Sequence, residues 1–201
     1  NDLVSVVFTS GRTDAAQGFT GNQRLLLEAV DRFIGRAARS SVLTRSDTYY
    51  RRLSDRPDFA PIGDELGFER SDNARSTYAT LRTLSQWLGG LRGRRKAVIF
   101  FSQGIDYDIY DINQPLALTV QSEVRRTIAM ATQTNVSIYT IDPRGLTTVG
   151  SDQIEVFGVI PDDRFSGTET GLRSDSLRDD LRLAQDSLRV LADETGGMAF
   201  I

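Results

Sequence analysis

The chain has 201 residues, of which 39% are hydrophobic and 25% are charged, and its formal net charge is −3. That length suits one domain with a sizeable core, and so small a charge gives no single-sign field of the kind that binds nucleic acid or a membrane surface. The absence of Cys and His excludes disulfides, thiol nucleophiles and histidine-based catalysis. No apolar run is long enough to insert into a membrane.

The first predicted elements are a strand and a helix. Residues 3–8 form a short run rich in β-branched side chains, which is typical of a buried strand. After a polar stretch, apolar residues recur at helical spacing until Gly35, and Asn22 is the predicted N-cap. Because the strand follows Asn1 and Asp2 at once, we expect the chain to be a fragment of a longer protein.

The remaining chain alternates between helices and strands. Residues 36–73 are rich in Pro, Gly and charged side chains and are predicted to be a loop-rich, mobile insertion. Residues 96–101 end in AVIFF, which lacks polar alternation, as in a strand covered on both faces. Residues 136–141 are predicted to form another buried strand. Helical periodicity predicts helices over 74–88, 116–134 and 177–194, and the terminal segment MAFI begins a last strand.

This alternation predicts an α/β fold. We expect a three-layer, Rossmann-like sandwich in which helices flank a mostly parallel sheet. Ligands bind such sheets beyond the carboxyl ends of the strands. The loops 9–22, 102–114 and 142–174 are therefore predicted to lie at one rim.

The loop after the second clear strand is acidic. Asp106, Asp108 and Asp111 resemble the start of a calcium loop, but Tyr110 stands at its fifth position and Asp111 at its sixth, where a ligand and a Gly are needed. Taken alone, the segment fits a solvated loop. No glycine-rich phosphate motif is present, and Ser102 has no His to activate it.

Four short motifs carry a family resemblance. They are FT at 19–20, FFSQG at 100–104, IYTIDPRGL at 138–146 and LADETGG at 191–197. Their order and spacing resemble a von Willebrand factor type A domain, and more closely the VWFA-related family common in acidobacterial genomes. The resemblance covers almost the whole chain. It implies one type A-like domain over residues 1–201, with its first strand missing, in a secreted, periplasmic or envelope-anchored bacterial protein.

The resemblance also bears on metal binding. Type A domains often hold Mg²⁺ at a metal-ion-dependent adhesion site. Thr20 matches its threonine, although it fits a helix-capping role equally well, and Gln103 stands where an aspartate is usual. The first ligand loop would precede Asn1. Since an amide is a weaker ligand than a carboxylate for a hard dication, we expect a degenerate site without a cofactor. The alternative is Mg²⁺ held by Thr20, Gln103 and Asp106.

The expected function is protein binding or adhesion without catalysis. Aromatic side chains beside carboxylates suit a protein partner with basic groups. The predicted binding rim comprises Thr20, Ser102, Gln103, Asp106, Tyr107, Asp108 and Tyr110. One alternative is a metal-dependent hydrolytic or phosphoryl-transfer enzyme that uses Asp106, Asp108 and Asp142, and another is a scaffold without a ligand of its own. A fold of this class does not decide between them.

Overall fold

A computed structural model of the chain describes residues 2–9, 16–32, 67–105, 116–146 and 174–201. By their internal contacts the residues fall into two compact units, Asn1–Ala38 and Arg39–Ile201. The predicted mobile insertion at 36–73 lies outside the described residues apart from 67–73, which are helical.

The first unit is a strand pair followed by a helix. Strand β1 (Val4–Val6) pairs antiparallel with β2 (Gln17–Thr20), with an irregular register between Val4 and Val6. Helix α1 (Gln23–Asp31) follows directly. Its N-cap is Asn22, whose side-chain oxygen accepts a hydrogen bond of 3.0 Å from the amide of Arg24. The predicted cap is therefore confirmed, because capping depends only on neighbouring residues.

The prediction that residues 3–8 join the buried parallel sheet is wrong for the described structure. The strand is only three residues long, and its partner β2 falls in the stretch that the sequence analysis assigned to a loop. Leu3, Val4 and Val7 are about half exposed. A partner nearby in sequence can pair antiparallel through a short connection, whereas a parallel partner needs a long crossover.

The second unit holds a parallel sheet with helices on it. The strand order is β3-β4-β5, and both pairings are parallel. A 3₁₀ turn, Pro143–Leu146, follows β4. The elements in chain order are α2 (Gly67–Gly89), β3 (Lys96–Phe101), α3 (Ala117–Gln133), β4 (Val136–Ile141), α4 (Ser174–Glu194) and β5 (Ala199–Phe200).

The core lies between one face of this sheet and the helices. Alternate side chains of β3 and β4 are buried there: Val98, Phe100, Val136, Ile138 and Thr140. Thr140 donates to the carbonyl of Leu188 in α4 (3.2 Å), and Thr127 of α3 donates to the carbonyl of Tyr78 in α2 (3.0 Å). Crossovers between parallel strands are almost always right-handed, so two successive steps in one direction are expected to place α3 and α4 on the same face.

The opposite face of the sheet is open in the described structure. The sequence analysis predicted that β3 would be covered on both faces, yet Ile99 is 62% and Phe101 is 64% exposed. Phe200 of β5 is also about half exposed. The parallel sheet flanked by helices is confirmed, but coverage of both faces is not found among the described residues. An apolar run shows that a strand suits a buried site and cannot show that a second layer is present.

The turn from α4 into β5 depends on two glycines. Gly196 has φ +71°, and a Cβ on Gly197 would lie against the carbonyl of Ile138. The predicted helix end at this pair is confirmed. Because no side chain stands between the backbones, β5 can approach β4 and pair with it. No helix among the described residues is long and apolar enough to span a bilayer.

Candidate functional site

The candidate site lies where β3 and β4 end. Phe101 is opposite Ile141 in the parallel register, so Ser102 and Asp142 leave the sheet side by side. The amide of Ser102 donates to the carbonyl of Ile141 (3.1 Å) and continues the ladder by one bond. This is the carboxyl edge, where parallel sheets bind their ligands.

Asp142 and Arg144 form an ion pair at this edge, in which the carboxylate is buried and the guanidinium is partly exposed. Asp142 is 1% exposed. The Nε of Arg144 donates to Oδ1 (3.0 Å) and Oδ2 (3.2 Å), and its Nη2 donates to Oδ2 (3.0 Å). The backbone amide of Arg144 also donates to Oδ1 (3.0 Å), while the amide of Asp142 donates to the carbonyl of Phe200 (2.8 Å). A planar guanidinium that meets a carboxylate in this way fixes both side chains in direction as well as distance.

The electrostatics of Asp142 favour its charged form. Burial raises the pKa of its carboxyl, but hydrogen bonds from the side chain and amide of Arg144, and the charge of that side chain, act in the opposite direction. The side-chain amide of Gln185 on α4 also donates to Oδ2 of Asp142 over 3.5 Å, and this weaker contact lowers the pKa further. The pKa of Asp142 is therefore held below its ordinary value.

The same arginine holds the loop that follows β3. Nη2 of Arg144 donates to the carbonyl oxygen of Gln103 over 2.6 Å. The amide of Gly104 donates to Oγ of Ser102 (3.1 Å), and the amide of Ile105 donates to Oγ of Ser187 on α4 (3.1 Å). Three consecutive residues thus have their backbone groups fixed, while Gln103 itself is exposed.

Close packing reinforces these hydrogen bonds. Gly104 has φ +85°, and a Cβ there would lie against the backbone of Ala184, so the loop rests directly on α4. Ile105 packs against the cluster formed by Ala74, Ala117 and Val120, which joins α2 to α3. Residues 102–105 form what we call the clamped loop, because α4 holds it on one side and the α2–α3 cluster on the other.

The predicted site residues lie in different parts of the chain, and some of them lie outside the described residues. Ser102 and Gln103 lie at the carboxyl edge, where the sequence analysis expected them. Thr20 lies in the first unit, at the end of β2, and its Oγ1 accepts a hydrogen bond from the amide of Asn22 (3.0 Å). That contact closes a turn immediately before α1, whose N-cap is Asn22 and not Thr20. The other predicted rim residues, Asp106, Tyr107, Asp108 and Tyr110, lie outside the described residues.

The predicted set of metal ligands, Thr20, Gln103 and Asp106, stays a prediction. Thr20 and Gln103 belong to different units, and Asp106 is not described. Among the residues that the structure does describe, no three acidic side chains are placed to hold a metal ion. Asp142 is a carboxylate at the right edge, but both of its oxygens are bound by Arg144.

Sequence reasoning missed the residues that organise the loop. It gave Asp142 a role only in the enzymatic alternative and gave Arg144 no role. The signal was present, since an acid and an arginine two residues apart directly follow a buried strand. Ser187 and Gln185 had no comparable signal, because they lie in the middle of α4. Ser187 reaches Ile105 and Gln185 reaches Asp142 only through the packing of that helix.

The parallel sheet, the helices packed on it and the loops at its carboxyl edge define an α/β protein of the Rossmann-like class. No family model, no curated protein and no solved structure matches the chain. The geometry of the clamped loop is therefore the basis for assigning a function.

Proposed function

We propose that the chain is a non-catalytic protein-binding module of the type A kind, and that the clamped loop is the centre of its binding surface. The observation that carries this proposal is the fixed backbone of residues 102–105 beneath an exposed Gln103. The backbone that carries this side chain is already ordered before a partner arrives.

Rigidity favours binding for a thermodynamic reason. Association has to offset the entropy lost when loops and side chains are ordered, and a loop held by Arg144 and Ser187 has lost most of that freedom during folding. The amide of Gln103 can both donate and accept hydrogen bonds. It therefore suits a polar group or a backbone segment of a protein partner.

The order of elements supports the type A assignment. Phe19 and Thr20 end β2 just before α1, and Gln103 follows a strand of the parallel sheet, in the sequence of features that the resemblance implies. Because Gln103 supplies an uncharged oxygen where a carboxylate is usual, the proposed binding is independent of metal. A place in a secreted or envelope-anchored bacterial protein rests on the family resemblance alone.

The enzymatic alternative loses support at Asp142. A metal ligand or general base needs a free oxygen facing the substrate, whereas the carboxylate of Asp142 accepts four hydrogen bonds from Arg144 and is buried. Asp106 and Asp108, the other carboxylates of that alternative, lie outside the described residues. The scaffold alternative predicts that the exposed side chain of Gln103 has no role.

A peptide-display selection tests the proposal without a known partner. The chain is immobilised in buffer with EDTA and used to select ligands from a large library. We expect the selected ligands to compete with one another and to lose at least about tenfold in affinity when Gln103 is changed to Arg. The matched control is Gln133→Arg, since Gln133 is an exposed glutamine at the far end of α3. Ligands that tolerate Gln103→Arg as well as the control would refute the clamped loop as the binding surface.

A further inference from the structure

The connection between α2 and β3 carries a cluster of positive charge. Arg92, Arg94 and Arg95 lie in it and Lys96 begins β3, whereas residues 86–105 contain no acidic side chain. All three arginines are exposed. We call residues 92–96 the basic loop. Its charge contrasts with that of the whole chain, which has a formal net charge of −3.

The two ends of the basic loop are held by hydrogen bonds. On the side of α2, the amide of Leu91 donates to the carbonyl of Leu88 over 3.0 Å. On the side of β3, Nζ of Lys96 donates to the carbonyl of Thr134, directly after α3, over 3.0 Å. Because the loop is short and anchored at both ends, it loses little freedom when a partner binds.

The dipole of α2 does not account for the arginines. Cations are favoured near the carboxyl end of a helix, but the effect falls off within its last turn. The last turn of α2 contains no basic residue, and the arginines follow only beyond Gly89. In the described part of the chain, no carboxylate forms an ion pair with Arg92 or Arg95.

The basic loop lies at the amino edge of the sheet, opposite the clamped loop. The connections that lead from α2, α3 and α4 into β3, β4 and β5 meet at this edge, and all three belong to the described residues. The segments 106–115 and 147–173 each lead from the end of a strand to the start of a helix, so they join the described structure at the carboxyl edge. The amino edge of this unit is therefore built from residues that the structure describes.

Exposed apolar side chains adjoin the basic loop. Trp87 is 54% and Leu91 is 40% exposed, and they lie four positions apart across the last turn of α2. Tryptophan and arginine are the residue types most enriched where protein interfaces gain their free energy. An apolar pair beside three guanidinium groups thus fits a protein segment that carries both apolar side chains and carboxylates.

We propose that the basic loop, together with Trp87 and Leu91, binds an acidic segment of a partner protein that also carries apolar side chains. The carboxylates of that segment pair with the arginines, whose planar guanidinium groups can meet a carboxylate through two hydrogen bonds. Its apolar side chains cover Trp87 and Leu91. This surface lies at the opposite edge of the sheet from Gln103, so it is independent of the proposed function of the clamped loop.

A short acidic segment suits this edge better than a nucleic acid or a membrane surface does. Asp193 and Glu194 are exposed at the end of α4, beside the connection to β5. That connection lies two strands away from β3, which is about 10 Å at the usual spacing. A long polyanion or a flat anionic surface would meet these carboxylates as well as the arginines, whereas a peptide can contact the arginines alone.

Fluorescence anisotropy with a labelled synthetic peptide tests the proposal. The probe consists of Asp and Glu with interspersed Phe and Leu, and it contains no Trp. We expect saturable binding to the purified chain with a Kd of about 10–100 μM and a loss of affinity at higher salt. Arg92→Glu and Arg95→Glu should each weaken binding by about fivefold or more.

The matched control is Arg125→Glu. Arg125 is an exposed arginine in the middle of α3, so the variant makes the same change of charge away from the amino edge. Its affinity for the probe should fall by less than about twofold. Circular dichroism establishes that each variant is folded.

The apolar part of the surface is tested separately. We expect Leu91→Ser to weaken binding, and a second probe with Ser in place of Phe and Leu to bind the unchanged chain less tightly. Trp87 is the only tryptophan, so its emission should move to shorter wavelength when an unlabelled probe covers it. Binding that leaves this emission and the Leu91→Ser affinity unchanged would overturn the assignment of the apolar pair.

The assignment of the arginines can fail in three ways. The first is a probe that shows no saturable binding up to about 1 mM. The second is an equal loss of affinity in Arg92→Glu and Arg125→Glu, which would show a general attraction to basic groups. The third is tighter binding of a double-stranded DNA oligonucleotide, or of vesicles of anionic phospholipid, that disappears in Arg92→Glu.

Discussion

Arg144 donates a hydrogen bond of 2.6 Å to the carbonyl of Gln103, a residue 41 positions earlier in the chain. The same guanidinium forms an ion pair with the buried carboxylate of Asp142. One side chain therefore ties the end of β4 to the loop that follows β3. The loops after β3 and β4 are therefore held partly by each other. A substitution of Asp142 should alter the position of Gln103.

The first prediction concerns the buried pair. Asp142→Asn keeps the size of the side chain but removes the buried carboxylate that accepts the hydrogen bonds of Arg144, and should lower the free energy of unfolding by about 2–3 kcal/mol. Urea unfolding followed by the fluorescence of Trp87, the only tryptophan and a residue of α2, measures it.

The control for this variant is Asp186→Asn. Asp186 pairs with Arg189 over 2.7 Å, but both side chains are more than half exposed. A solvent-screened pair of this kind contributes little, so the control should change stability by less than about 0.5 kcal/mol. Equal losses in the two variants would show that burial of Asp142 is unimportant.

The second prediction concerns pH. The pKa of Asp142 is lower in the folded chain than in the unfolded chain, so its stabilising effect is complete above the unfolded value of about 3.9 and is lost as the pH falls through the folded value. The difference in stability between the wild type and Asp142→Asn should stay constant from about pH 7 to 5 and shrink below about 4. Urea midpoints of both proteins across that range measure it. A difference that grows in acid would contradict the sign of the shift.

The third prediction concerns the glycine of the clamped loop. Gly104→Ala should destabilise the fold by more than about 3 kcal/mol, because a positive φ and a collision with Ala184 act together. Gly93 also has a positive φ, of +74°, but nothing lies within 4 Å of its added Cβ. Gly93→Ala should therefore cost only about 1–2 kcal/mol. Similar losses from both, by the same fluorescence assay, would mean that the loop does not rest on α4.

The fourth prediction concerns Thr20 and metal. Calorimetric titration with MgCl₂ or MnCl₂ should show no saturable binding at micromolar concentration, since Gln103 is uncharged where the type A site has a carboxylate. Thr20→Ala should remove only the hydrogen bond accepted from Asn22, at about 1 kcal/mol or less of stability. Micromolar binding that disappears in Thr20→Ala would restore an adhesion-type metal site.

Local signals in the sequence were sufficient for several elements. The strands at 96–101 and 136–141 have the predicted bounds, because each is a compact apolar run that ends where polar residues begin. The cap at Asn22 and the stop at Gly196 and Gly197 also follow from neighbouring residues. Helices α2 and α4 begin earlier than predicted, at Gly67 and Ser174, because helical periodicity is hard to detect in polar first turns.

The carboxyl-edge position of Ser102 and Gln103 could also be predicted, since a parallel strand delivers the next residues to that edge. The partners of those residues could not. Gln103 meets Arg144 and Ile105 meets Ser187, and these contacts span 41 and 82 positions. The sequence around one residue of such a pair does not indicate which residue its partner will be.

The sequence by itself determined the helices, the strands of the parallel sheet and which loop follows β3, because these depend on periodicity and on residues within one or two turns, whereas β2 lies in a stretch that it assigned to a loop. Tertiary structure alone decided that β1 pairs with β2, that Ile99 and Phe101 face outward, and that Arg144 clamps Gln103. Strand pairing, burial of one face and a shared guanidinium are properties of segments brought together in space. The free energy of each of these contacts depends on which two surfaces meet. The identity of a single apolar or charged residue does not indicate which residue it will contact.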